Sequence, residues 1–104
     1  MRILFSLTLA AAALAVLPAS PAHATGAVKC KAGPESGWKS RGELEAKLKK
    51  DGWQIRKSKV DGGCYEVYGT TPEGQRVEAY FHPVTLEKLY VAARGKVLFR
   101  KPGY

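Results

Sequence analysis

The chain has 104 residues, with 17 Lys and Arg against nine Asp and Glu, a formal net charge of +8, two cysteines and two histidines. This length allows one domain and excludes a multidomain enzyme. A domain this small buries only about 60% of its unfolded surface, so a covalent staple is expected in addition to a core.

Arg2, the apolar run Ile3 to Leu17 and the small residues around Ala22-His23-Ala24 have the order of a secretory signal peptide, predicting a leader over residues 1–24 and a mature start at Thr25. The apolar run falls short of the roughly 20 residues that span a bilayer and ends in the Pro18/Pro21 segment, which disfavours a membrane anchor. Lys29 before Cys30 does not suit a lipoprotein cleavage site. The expected location is therefore outside the cytoplasm, in the periplasm of a Gram-negative bacterium. Loss of the leader removes one basic residue and no acid, so the mature chain stays strongly basic.

Residues 25–37 form a loop rich in Gly, Pro and Lys, tied down only at Cys30. In an oxidising compartment Cys30 and Cys64 read as a disulfide. A redox pair would show Cys-x-x-Cys spacing, whereas these two lie 34 positions apart. Closing that segment stabilises the fold by about 3 to 4 kcal/mol on the chain-entropy account.

Ser40-Arg41-Gly42-Glu43 fits a capping box and starts a helix of about three turns that Gly52 ends in left-handed geometry. Glu43 with Lys47 and Glu45 with Lys49 are spaced for ion pairing, while Leu44 and Leu48 make a narrow apolar stripe that Trp38 closes at one end. From Trp53 the period becomes two. Trp53 and Ile55 share a face with Ser58 and Val60 only if a bulge intervenes near Arg56-Lys57. Asp61-Gly62-Gly63 makes a hairpin turn. The next strand buries Tyr65 and Val67 and turns Glu66 and Tyr68 outward, with Lys59 opposite Glu66. Pro72-Glu73-Gly74 is a second turn. Val77, Ala79 and Phe81 then face the core, and Arg76, Glu78 and Tyr80 face out. Beyond Pro83, Lys88 to Ala93 and Lys96 to Arg100 are one more hairpin, or one strand and a tail. The expected fold is α+β: one N-terminal helix on one face of a three- to five-stranded antiparallel sheet with one disulfide.

Catalytic motifs are scarce. His82 is the histidine left after the leader, and its place before Pro83 reads as an exposed turn. Zinc needs three or four ligands, which one histidine and two bridged cysteines do not supply. No Cys-x-x-Cys-His haem motif and no phosphate loop occur. Glu66 and Glu78 face the same side, but Lys59 and Arg76 beside them point to a solvated charge ladder and not to a glycosidase acid/base couple. No catalytic, cofactor or metal site is expected. The basic clusters interleave with Tyr68 and Tyr80, a pattern that suits nucleic acid in general. Export argues against that partner and favours acidic proteins or anionic lipid and polysaccharide.

The order Cys30, Trp38, ELEAKLKKDGWQI and DGGCYEVYGTTPEGQRVEAYFHPVT, spanning Cys30 to about Leu89, resembles the PepSY superfamily in its short exported branch. The resemblance implies a PepSY-like domain over residues 38–104 with a C-terminal extension from about residue 90. It also implies a module without catalysis of its own, since relatives occur in propeptides that restrain secreted metallopeptidases. Two departures stand out: His82 where relatives carry Asp before the Pro-Val-Thr turn, and Leu86 where they carry Gly after it. The expected function is a binding module engaging a protein partner, with peptidase inhibition as one form, and the alternative is a cationic protein recognising an anionic envelope. The expected partner-binding surface comprises Tyr68, Tyr80, His82, Arg56, Lys57 and Arg76. The oligomeric state is left open.

Overall fold

A computed structural model describes residues 26–104; the leader expected over residues 1–24 and its cleavage before Thr25 lie outside them. Helix α1 (Arg41–Lys50) precedes five strands: β1 (Gln54–Asp61), β2 (Cys64–Thr70), β3 (Arg76–Phe81), β4 (Lys88–Ala93) and β5 (Lys96–Arg100). They make one antiparallel sheet in the order β1-β2-β3-β4-β5, each strand joined to the next by a hairpin. The choice left open after Lys88 resolves to the hairpin, because Arg94 and Gly95 both take positive φ, 51° and 76°, as a two-residue turn requires.

Helix α1 starts where the cap predicts. The Ser40 backbone is extended and its Oγ accepts the Glu43 amide at 3.1 Å. Gly52, at φ 97°, carries the chain out of the helix. Leu44 and Leu48 are buried against Tyr65, Val67, Ala79 and Phe81. Trp38 meets the Tyr65 ring edge-on at 5.7 Å, and Trp53 meets Phe81 at 5.9 Å. Glu43–Lys47 and Glu45–Lys49 do not form ion pairs, unlike Lys59–Glu66 and Lys101–Glu87. Glu45 instead accepts the Ser58 hydroxyl at 2.6 Å and ties α1 to β1.

The bulge falls where expected, with Arg56 as the extra residue between Ile55↔Gly69 and Lys57↔Tyr68. Gly69 is required there, since a Cβ would come within 2.4 Å of the Gln54 carbonyl. Ser58 faces α1 as predicted. Val60 shares that face but is 46% exposed, because the two-leucine stripe of α1 does not reach the far end of this edge strand.

The sheet face opposite α1 departs most from expectation. Its residues are those the alternation assigns, but its centre is buried: Glu66 and Tyr80 are 0% exposed and Tyr68 4%. The physical reason lies in the N-terminal segment, which is tied down at several points and not at Cys30 alone. The Gly26 amide donates to Asp61 Oδ2 at 2.9 Å and the Cys30 amide to the Gly62 carbonyl at 2.8 Å. Val28 packs with Cys64, Tyr80 and Tyr90 as a second apolar cluster. The Cys30–Cys64 disulfide, with Cα atoms 5.2 Å apart, closes this layer. Gly62 and Gly63 serve both the turn and this approach: a Cβ on them would lie 2.6 Å from the Val28 carbonyl and 2.5 Å from the Cys30 carbonyl.

Candidate functional site

Pairing across the strands sets three rows of side chains on the face opposite α1. One row runs Lys59, Glu66, Tyr80, Tyr90 and Arg100; the next runs Lys57, Tyr68, Glu78, Ala92 and Val97; the third runs Gln54, Thr70 and Arg76. Cations sit at the margins while tyrosines and acids occupy the middle. Lys57 Nζ lies 4.6 Å and Lys59 Nζ 5.7 Å from the Tyr68 ring centre, and Arg100 lies 5.0 Å over Tyr90. The ammonium heads of Lys57 and Lys59 therefore roof the buried Tyr68 ring.

Beneath that roof, Lys59 Nζ is 3.8 Å from Glu66. Burial pushes the Glu66 carboxyl above its usual pKa, opposed by the Tyr68 hydroxyl and Lys59. Asp61 is shifted the other way, chiefly because the Gly26 amide donates to it, and the Tyr80 hydroxyl at 2.7 Å adds to the effect. Burial raises both Tyr68 and Tyr80, so both stay protonated donors. The expected solvated ladder of Glu66 and Glu78 is thus corrected: both lie on one face, but Glu66 is held inside by the layer above it.

The predicted surface residues separate into two groups. Arg56, Arg76 and Tyr68 come together in a cavity of about 840 Å³ at the end of the sheet carrying the β2–β3 and β4–β5 turns, lined also by Glu78, Tyr90 and Arg94. Lys57 stands beside it over Tyr68. Tyr80 does not belong to this surface, because it is buried with its hydroxyl donated to Asp61. His82 is half-buried at the β3–β4 turn and not part of the cavity; its Nδ1 accepts the Val84 amide at 3.2 Å. Sequence reasoning missed Tyr90 and Arg94 as site residues. Tyr90 is visible through its alternation with Ala92, and Arg94 counts in the sequence only as one of many clustered basic residues beside a turn glycine.

Little here resembles a reaction centre. Among the described residues, both cysteines are bridged and no three His, Cys, Asp or Glu side chains gather as a metal site. The exposed features are the arginine-lined cavity and strand β5, whose Val97, Leu98 and Phe99 stand partly in solvent.

A family model described as the peptidase propeptide and YPEB domain, PepSY_2, matches residues 8–90. Neither the curated proteins nor the solved structures gave a match. Strand β5 begins after the matched residues end.

Proposed function

The chain belongs to the PepSY family of peptidase propeptide and YpeB domains, and from that premise we propose that it is a non-catalytic exported module that binds a protein partner and restrains a secreted peptidase. The observation that carries this reading is the cavity lined by Arg56, Arg76 and Arg94, with Glu78 as its acid and the buried Tyr68 and Tyr90 at its base. Guanidinium groups pair bidentately with carboxylates, so a surface carrying three of them suits an acidic protein. The bulge contributes directly: by inserting Arg56 before Lys57 it sets two successive cations beside Tyr68.

Affinity capture from a periplasmic extract at moderate salt tests the reading. The purified protein should recover a specific protein, and the triple variant Arg56→Ala/Arg76→Ala/Arg94→Ala should lose it. Where the captured protein is a peptidase, adding the module should slow it. Recovery of no specific protein by the wild type removes the proposal. The second reading, an anionic lipid or polysaccharide ligand, draws on the same excess of cations. It predicts binding to lipopolysaccharide or anionic vesicles that falls steeply between low and physiological salt, whereas a shape-specific protein interface survives that change.

A further inference from the structure

Strand β5 lies beyond the residues that the family model matches, which end at 90 while the strand covers Lys96–Arg100. It is the last strand of the sheet and pairs on one side, with β4. Every residue of it is exposed, and three in succession are large and apolar: Val97 at 43%, Leu98 at 40% and Phe99 at 38%. The irregularity opposite Val91 and Ala92 makes Leu98 an extra residue in the register. An open edge presents a row of backbone N–H and C=O groups that a further strand completes. The Lys101 amide donates inward to the Leu89 carbonyl, so by the alternation of an antiparallel ladder the polar groups of Arg100 turn to the open side.

The opposite edge is defended. Strand β1 carries Lys57 and Lys59 within its length, and its Ser58 carbonyl is taken by Arg41 Nη1 at 2.8 Å. Strand β5 has cations at both ends and apolar residues between them.

We propose that β5 is a docking edge for an extended acidic segment of a protein partner, which joins the sheet as a sixth strand. The inference deepens the partner-binding reading and rests on it for the class of ligand, while using a surface separate from the arginine-lined cavity. Charge selects the occupant. Lys96 and Arg100 bracket the apolar triplet, and Lys88 Nζ lies 4.5 Å over the Phe99 ring. The nearby acid Glu87 is already paired with Lys101. Because Leu98 is an extra residue, Lys96 lies on the α1 face with Ala93 and Arg100 on the opposite face with Tyr90, where its Nη1 also donates to the Tyr104 carbonyl, so a partner strand meets the two cations with carboxylates three positions apart, one on each of its faces. A second copy of this chain is the wrong occupant. Its β5 carries Lys96 and Arg100 and no acid, so a second copy would only add cations to an edge that already gathers Lys88, Lys96 and Arg100.

The test titrates the purified protein with a labelled, end-blocked peptide Thr-Glu-Val-Val-Glu-Thr, followed by fluorescence anisotropy and by hydrogen exchange along the chain. The peptide should bind and slow exchange in β5. Versions N-methylated at every second amide should lose about tenfold or more in affinity in one of the two phases, because main-chain pairing carries this mode of binding. Thr-Lys-Val-Val-Lys-Thr should bind about tenfold more weakly, and Lys96→Glu/Arg100→Glu should invert the preference. No binding at about 1 mM, indifference to methylation in both phases, protection at the cavity in place of β5, or a peptide-free dimer that protects β5 would each overturn the proposal. Peptide binding at β5 with no peptidase captured removes peptidase restraint and keeps the docking edge; the reverse removes the edge alone.

Discussion

Leu86 occupies a backbone conformation that ordinarily selects glycine, at φ 62°, yet its side chain is buried with Leu44 and Phe81. The two departures from the family pattern belong to a single turn. His82 Nδ1 accepts the Val84 amide two residues on, the contact an Asp carboxylate makes in such a turn, and the Leu86 amide closes onto the His82 carbonyl at 2.7 Å. Holding a leucine left-handed costs about 1 to 2 kcal/mol, whereas burying its side chain contributes about 1.5 to 3 kcal/mol. Burial wins, and glycine would also add backbone freedom to the unfolded chain. Leu86→Gly should therefore destabilise the protein by about 1 kcal/mol in urea unfolding despite relieving the backbone. A variant more stable than the wild type would mean that strain outweighs packing at this turn.

The N-terminal segment behaves as a structural element although it contains no strand. It covers Tyr80 and Tyr90 with Val28, donates to Asp61 through Gly26 and is bonded covalently to β2. Replacing both cysteines, Cys30→Ala/Cys64→Ala, should cost about 3 to 4 kcal/mol, read as a lower urea midpoint. Faster exchange of the backbone amide at position 30 and tyrosine exposure should accompany it; an unchanged midpoint would mean that packing alone holds the segment. The elements themselves were legible because their signals are local. Ser40 caps, Gly52 stops, Gly62-Gly63 turns, and the phase change from Ile55 to Ser58 demands one extra residue. Burial of the outer face was not legible. Alternation says which residues share a face, but nothing in the pattern of Glu66, Tyr68 and Tyr80 says that a distant loop folds back over them. The arginine-lined cavity was legible in half, since Arg56 and Arg76 lie in strands with readable phase while Arg94 reaches it from a turn held at φ 51°.

At the scale of the whole molecule, burial of the outer face makes stability depend on pH through two acids that act in opposite directions. Asp61 is held below its ordinary value of 3.8, first by the Gly26 amide and then, against burial, by the Tyr80 hydroxyl. Its contribution is complete above the unfolded value and is lost as pH falls through the folded one. Glu66 is raised above its ordinary 4.5 by burial, so the folded protein takes up its proton more readily than the unfolded chain. Its cost is complete above the raised value and fades as pH falls toward 4.5. Acidification from neutrality should first strengthen the fold as Glu66 is neutralised and then weaken it as Asp61 is protonated. Glu66→Gln removes the first limb: it should exceed the wild type in stability at neutral pH, where the buried charge is most costly, and the gap should close near the ordinary carboxylate range. Asp61→Asn should be less stable than the wild type at neutral pH and lose the acid-side decline. Urea unfolding of the three proteins across a pH series separates these limbs. A Glu66→Gln variant destabilised by the same margin at every pH would show that the Lys59 pairing and the tyrosine contacts outweigh burial in setting the energy of this face.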